Sequence, residues 1–284
     1  MSQTPILHPK LPTWIAPYAG GERQGWAQAV MAYADYYCVD GSADDDYSID
    51  ERLTMQRGPM VSYASRTGTR RNLAAFRAAN WRLLVSATGV LRTEGFQYAI
   101  DNGAWTAYQQ NRSFDEDAFW RAIDKLGEGA DWIVLPDIVA GGLRSLEYSL
   151  AWLERLKGIP TKLLLAVQDG MEVDDVRELL SPSIGIFVGG STQWKVATAT
   201  TWGAVARRRN CHLHVGRVNS AKRIQICAAA GADSIDGTSG SRFAVTVPSL
   251  DRATRQDDLF SSSRADLSSA RVASSIDSLS TLVC

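Results

Sequence analysis

Two short stretches end an apolar alternation on an aspartate that is followed closely by glycine: Tyr98-Ala99-Ile100-Asp101-Asn102-Gly103 and Ser234-Ile235-Asp236-Gly237. A carboxylate at the lip of a buried strand must be solvated, paired or used. The glycine marks a sharp turn or a close approach of something else. Other apolar runs stop on residues of similar kind: Asp137, Gln168, the pair Gly189-Gly190, and His214 with Gly216. Taken singly, each has an ordinary structural use, as a helix N-cap for an aspartate, as turn chemistry for the glycines, or as a satisfied side chain for His212 and His214. Three carboxylates and an amide converging on one place carry an electrostatic cost that structure alone does not require.

Such a set suits a planar heterocycle with a donor-rich edge, such as guanine. Asp137, Gln168 and the Gly189-Gly190 backbone offer acceptors, an amide and N–H groups, and Trp105 offers an aromatic face for stacking. Asp101 and Asp236 are then left for reaction chemistry. One attacks an anomeric carbon while the other handles the proton on the leaving or entering group, as in retaining glycosyl transfer.

These residues need a scaffold that brings strand ends together. After an irregular opening (1–55), short apolar runs alternate with amphipathic ones. Strands are expected at Met60–Ala64, Leu83–Ala87, Gln97–Asp101, Trp132–Asp137, Leu163–Gln168, Ile184–Gly190, His212–Val218 and Ser234–Gly237. Helices are expected over 114–128, 143–157, 173–180, 191–209 and 220–231. Runs such as Trp-Ile-Val-Leu-Pro and Lys-Leu-Leu-Leu-Ala-Val are apolar almost throughout, as when helices cover one face and a closed interior the other. The alternation predicts a single-domain α/β fold, a (β/α)8 TIM barrel over residues 56–250, with an open doubly wound sheet as the alternative. The serine-rich segment 251–284 repeats Leu267, Ala270, Ala273, Ile276 and Leu279 at three-residue spacing, and reads either as a closing helix or as a loosely held end.

Composition narrows the partners. Thirty basic and 31 acidic residues in a chain of 284 give a formal charge of −1, so nucleic-acid binding would rest on local patches. Seven arginines and no acidic residue lie between Arg52 and Arg82, and Arg207-Arg208-Arg209 follows later. The other reading of these runs is a solvated face balanced by Asp44-Asp45-Asp46. Cys38, Cys211, Cys227 and Cys284 form no C-x-x-C pair, and with three histidines no zinc site or other metal is expected. No run approaches the roughly 18 apolar residues of a membrane span, and the first residues lack the order of a signal peptide, so a cytoplasmic location is expected.

The motifs resemble those of the tRNA-guanine transglycosylases. Ile-Asp-Asn-Gly-Ala-Trp at 100–105 is similar to their Asp-Ser-Gly-Gly-Phe motif, Leu-Pro-Asp at 135–137 to the segment with their base-reading aspartate, and Ala-Val-Gln-Asp-Gly at 166–170 to their Gln-Gly strand end. Phe-Val-Gly-Gly at 187–190 is similar to their Gly-Gly turn, and the segment 234–242 to the one carrying their nucleophile. The order holds from about residue 83 to 243. The resemblance implies that Asp236 is the nucleophile, that Asp101 is the general acid/base, and that Asp137, Gln168, Gly189 and Gly190 read the base. It implies a reaction without a cofactor, in which a 7-deazaguanine replaces guanine through a covalent aspartyl glycosyl-enzyme intermediate.

The departures point to one branch. The Cys and His residues of the tRNA enzymes' zinc subdomain are missing after Asp236, where only Cys284 remains. Ala104-Trp105 and Ser191-Thr192-Gln193 also leave the family pattern. A shortened, zinc-free chain resembles the phage and bacterial DpdA family, which inserts deazaguanines such as 7-cyano-7-deazaguanine (preQ0) into DNA. That implies a DNA partner, possible further subunits of a modification system, the host cytoplasm if phage-encoded, and phosphate contacts from Arg66, Arg70, Arg71, Arg207 and Arg242. Three alternatives stay open: the same exchange on tRNA, a barrel glycoside or nucleoside hydrolase, and a non-enzymatic DNA-binding or assembly subunit.

Overall fold

A computed structural model describes residues 59–255. Eight parallel strands close into a barrel in chain order: β1 (Val61–Ser65), β2 (Arg82–Ser86), β3 (Tyr98–Asp101), β4 (Trp132–Val134), β5 (Lys162–Val167), β6 (Ile184–Val188), β7 (Leu213–Val215) and β8 (Ser234–Gly237). Closure runs through β1 and β8, with Tyr63 opposite Asp236. The (β/α)8 expectation holds and the open sheet does not. The helices are α1 (Arg70–Ala78), α2 (Ala104–Gln109), α3 (Glu116–Leu126), α4 (Leu143–Arg155), α5 (Thr192–Arg208), α6 (Ala221–Ala230), α7 (Ser239–Arg242) and α8 (Val247–Arg255).

Local chemistry sets several boundaries. The Asp115 side chain accepts from the Ala118 N–H at 2.8 Å and starts α3, with Glu116 and Asp117 in the positive first turn. Ser191 caps α5 in the same way through the Trp194 N–H. Two expectations are corrected. Residues 173–180 form two 3-10 turns, Val173–Asp175 and Arg177–Leu179, in place of a helix. The segment is too short to nucleate an α-helix on its own, and a Glu172/Asp175 capping box closes the first turn while extended φ at Val176 interrupts the run. Strands β4, β6 and β7 stop two or three residues before their expected ends, so that Asp137, Gly190 and Val218 stand on loops above the barrel.

The closed interior is filled by Tyr63, Leu84, Ala99, Trp132, Val134, Leu164 and Ala166. At one end of this layer the Tyr63 hydroxyl donates to Asp131, which also holds Arg82. Outside, helices bury a second layer in which Trp152 is central. Its indole meets Phe114, Phe119, Trp120 and Tyr148, and the Arg155 guanidinium lies 3.9 Å from one ring centroid. Helix α8 runs through the expected boundary at residue 250 and buries Ala253 against the barrel layer. The expected segment 1–55 and, of the expected tail 251–284, residues 256–284, with Cys38 and Cys284, lie outside the described residues. No helix among the described residues is long and apolar enough to cross a membrane.

Replacing Trp152 with alanine is expected to destabilise the fold by about 3–5 kcal/mol, through lost burial and a residual cavity. Urea unfolding of Trp152→Ala beside the parent protein measures it, and a loss below about 1 kcal/mol would contradict the central place of this ring.

Candidate active site

Parallel strands all point the same way, so the residues at their ends converge on one mouth. Asp101, ending β3, and Asp236, inside β8, face it from two sides, and Asp137 stands on the loop after β4. Asp236 is 5% exposed and its oxygens are held by different donors. The His214 Nε2 lies 3.0 Å from Oδ2, and the Arg217 backbone N–H donates to Oδ1 at 3.2 Å. His214 is wholly buried among Tyr63, Trp132 and Phe187, stacked on Phe187 with ring centroids 4.9 Å apart. Its Nδ1 meets the Ser234 hydroxyl at 2.8 Å, and that hydroxyl also meets His212 Nε2 at 2.7 Å. A carboxylate only accepts, so Nε2–H donates to Asp236, Nδ1 accepts from Ser234, and Ser234 accepts from His212. This is the neutral form of His214, in keeping with burial, which lowers its proton affinity.

Asp101 differs. It keeps a partial opening to solvent at the residue level, yet its carboxyl lies deep enough that desolvation dominates, and its pKa is pushed up to about 6. The Gly103 N–H, donating to Oδ1 at 2.6 Å, works against the rise, whereas the nearby Asp236 and Asp137 charges add to it. Gly103 has φ +84, and a Cβ there would fall 2.8 Å from Thr88 Cγ2, so the turn that aims its N–H at Asp101 needs glycine. Asp137 is also raised to about 6 by burial, opposed by the Asn102 amide at 2.8 Å and by the charge of Arg217. Asn102 itself is buried and donates to the Leu135 carbonyl too, tying β3 to the loop after β4.

The remaining expected residues divide. Gln168 sits at the mouth, but its amide is held by the loop after β4: Nε2 donates to the Ile138 carbonyl and Oε1 accepts from the Gly141 N–H. Its role in the structure is to order that loop. The Gly189 N–H is bonded to the Val167 carbonyl, and Gly190 presents its carbonyl, which accepts from the Arg217 guanidinium at 2.5 Å. Gly190 has φ +66, and a Cβ would fall 2.5 Å from Asp169 Oδ2. Trp105, 37% exposed on α2, stacks with Tyr108 and lies under the Arg217 guanidinium, 4.2 Å from its ring centroid.

Of the arginines, Arg70, Arg71 and Arg242 are exposed at the starts of segments following β1 and β8, which Asn72 and Ser241 bond together. Arg66 is paired with Glu94 at 2.5 Å. Arg207 stands at the end of α5, at the opposite end of the barrel from the mouth, and donates to the Ala230 carbonyl. It is therefore remote from the candidate site.

Several contributors were not assigned from sequence. Asn102 lay inside a motif already noticed. Arg217 follows β7 and carries no motif. Lys195 is buried on α5 and donates to the Gly216 carbonyl, its pKa pushed down to about 8, chiefly by burial and then by Arg217. Asn219 Oδ1 accepts from the Thr238 and Ser239 N–H groups and locks the loop after β7 to the end of β8.

No protein-family model matches the chain, and no curated protein matches it. Among solved structures, it is similar to a cube-shaped, highly porous protein cage designed by fusing symmetric oligomeric domains (13% identity, 79% of this chain and 82% of that one, TM-score 0.46). It is similar also to GGGPS from Thermoplasma volcanium (14%, 73% and 96%, 0.40) and to the homocysteine methyltransferase MmuM from Escherichia coli (14%, 71% and 97%, 0.42). Likenesses at this level carry no argument about chemistry.

The raised Asp101 fixes a sign. A folded pKa near 6 above an unfolded value of about 3.9 favours folding at low pH, and this contribution is lost as pH rises through about 6. Asp101→Asn, whose side-chain oxygen still accepts from Gly103, is expected to gain on the order of 2 kcal/mol at pH 8 and nothing at pH 4. Chemical denaturation at the two pH values checks it, and an equal effect at both would contradict it.

Proposed function

We propose that the chain is a guanine transglycosylase acting on DNA, which exchanges guanine for a 7-deazaguanine such as 7-cyano-7-deazaguanine. The observation that carries the reading is the unequal treatment of two carboxylates at one mouth. Asp236 is anchored by His214 and by the Arg217 N–H, with both oxygens fixed, as suits a nucleophile that must keep one geometry. Asp101 is left with a single N–H donor and a pKa near 6, as suits a group that gives and takes a proton near neutrality.

The steps follow. Asp236 attacks the anomeric carbon while Asp101 protonates the departing guanine, giving a glycosyl ester on Asp236. The incoming base then loses a proton to the Asp101 carboxylate and displaces the ester, restoring Asp236. Asp137, held by Asn102, accepts from the donor edge of the base, and the Gly190 carbonyl adds a further acceptor. Water must be kept from the ester, or an abasic site results.

DNA is favoured over a small nucleoside by the surface around the mouth. The exposed Trp105 opens α2 directly after β3 and stacks with Tyr108, the exposed Arg70 and Arg71 open α1 after β1, and the exposed Arg242 and Phe243 follow closely on β8. Aromatic and cationic groups around one opening suit an unstacked nucleotide and its flanking phosphates, the unstacking costing a few kcal/mol. The same chemistry on tRNA is the second reading.

The test offers labelled 7-cyano-7-deazaguanine with duplex DNA and with unmodified tRNA in parallel. The expected result is label in DNA, lost in Asp236→Asn with DNA binding retained, and guanine release that slows about tenfold for each pH step of one above 6 as Asp101 loses its proton. Label only in tRNA would replace the substrate, and release of free base without incorporation would replace the reaction by hydrolysis.

A further inference from the structure

The Arg217 side chain spans the mouth, from the loop after β7 to Trp105 after β3. The residue leaves β7 with φ +57, a left-handed conformation that is unfavourable for a non-glycine residue. Its guanidinium donates to Gly190 beyond β6 and lies over Trp105 beyond β3. In the closed order of strands, β4, β5 and β6 separate β3 from β7 on one side and β8, β1 and β2 on the other, so the side chain crosses the opening from one wall to the opposite one. Its charge also reaches Asp137.

The contacts of this guanidinium form a specification. It is planar and lies on an indole face, it donates to a backbone carbonyl, and its charge reaches the half-buried Asp137 carboxylate. The edge of guanine that carries N1–H and the 2-amino group is itself a guanidine fragment. It asks for the same three partners: an aromatic face, a carbonyl acceptor and a carboxylate. We propose that Arg217 is a built-in mimic of the ligand, whose guanidinium fills the slot that a planar base with a guanidine-type edge takes, and which must swing out for that base to enter.

The displaced guanidinium is a bidentate donor beside the mouth and suits the phosphate flanking the base that has displaced it. The backbone N–H of the same residue stays on Asp236 throughout, since that bond does not involve the side chain. Arg217 therefore acts as a gate whose opening is selective for the ligand it imitates. Ligands without a guanidine-type edge gain no replacement for the Gly190 hydrogen bond and the attraction to Asp137 that are lost when the side chain leaves. For the identity of the base, this inference rests on the guanine-exchange reading; for the slot itself, it rests only on the contacts of Arg217.

The experiment vacates the slot and refills it. Arg217→Gly suits the left-handed φ and keeps the backbone N–H, and Arg217→Gln serves as a second variant that retains bulk without the guanidine fork. Binding of guanidinium ion at millimolar concentration and of free 7-cyano-7-deazaguanine is followed by NMR of the Trp105 indole and by calorimetry. Guanidinium is expected to perturb Trp105 in Arg217→Gly and not in the parent protein, and its calorimetric binding to Arg217→Gly is expected to be lost on adding Trp105→Ala. The free base is expected to bind Arg217→Gly at least tenfold more tightly than the parent. Guanidinium that perturbs Trp105 in neither protein, or in both alike, overturns the mimic, even where the base binds both and the guanine reading survives. Guanidinium entering only the vacated slot while the base binds neither protein sustains the mimic and overturns the guanine reading.

Discussion

The hydrogen bond between His214 and Asp236 is the contact around which the mouth is built. A carboxylate that is 5% exposed inside a barrel requires donors that cannot turn away. His214 meets that demand because three aromatic rings fix its plane and Ser234 fixes its tautomer. Those rings in turn fill the barrel interior, so the layer that stabilises the fold is also the layer that aims the carboxylate. Barrel closure belongs to the same arrangement, since Asp236 stands opposite Tyr63 in the β1–β8 pairing, and Tyr63 is one wall of the cage.

Around this anchor the mouth carries charge of both signs at short range. Asp101 and Asp137 are buried enough to hold protons up to about pH 6, and Lys195 and Arg217 stand behind and above them. Lys195 donates to the Gly216 carbonyl, one residue before the left-handed Arg217 turn that supplies an N–H to Asp236. Such a set costs stability, in desolvated carboxylates and a strained backbone, and the surrounding apolar layers offset it. The loops are stitched by side chains and not by regular structure: Asn102 ties β3 to the β4 loop, Gln168 ties that loop to β5, and Asn219 ties the β7 loop to β8.

The eight strands were legible because parallel strands buried on both faces read as short unbroken apolar runs, and Trp-Ile-Val and Lys-Leu-Leu-Leu-Ala-Val are such runs. Helices with a capping residue and an apolar stripe, such as Glu116–Leu126, were legible for the same local reasons. Arg70–Ala78 was not expected as a helix, since arginines and alanines leave only Asn72, Leu73 and Phe76 on its buried face. Positions of Asp101, Asp137 and Asp236 followed from strand ends. His214 also stood at an expected strand end, but its bond to Asp236 comes from the pairing of β7 with β8, and Arg217 and Lys195 join the mouth only once the barrel has closed. Gln168 shows the reverse: its position at the mouth followed from sequence, while the loop carbonyl and N–H that occupy its amide come from the fold alone. Arg207 lies in an arginine run whose place at the far end of α5 depends on helix direction and not on charge.

The central claim is that Asp236 becomes covalently attached to a deoxyribose carbon in the course of base exchange. Its most direct test is to mix the protein with a guanine-containing DNA oligonucleotide, quench by denaturation within a single turnover, digest, and identify the modified peptide by mass spectrometry. The account predicts a deoxyribosyl adduct on the peptide containing Asp236, formed with guanine release and discharged when a 7-deazaguanine is added. Guanine released into solution with no adduct on that peptide, or an adduct borne by Asp101 instead, would contradict it.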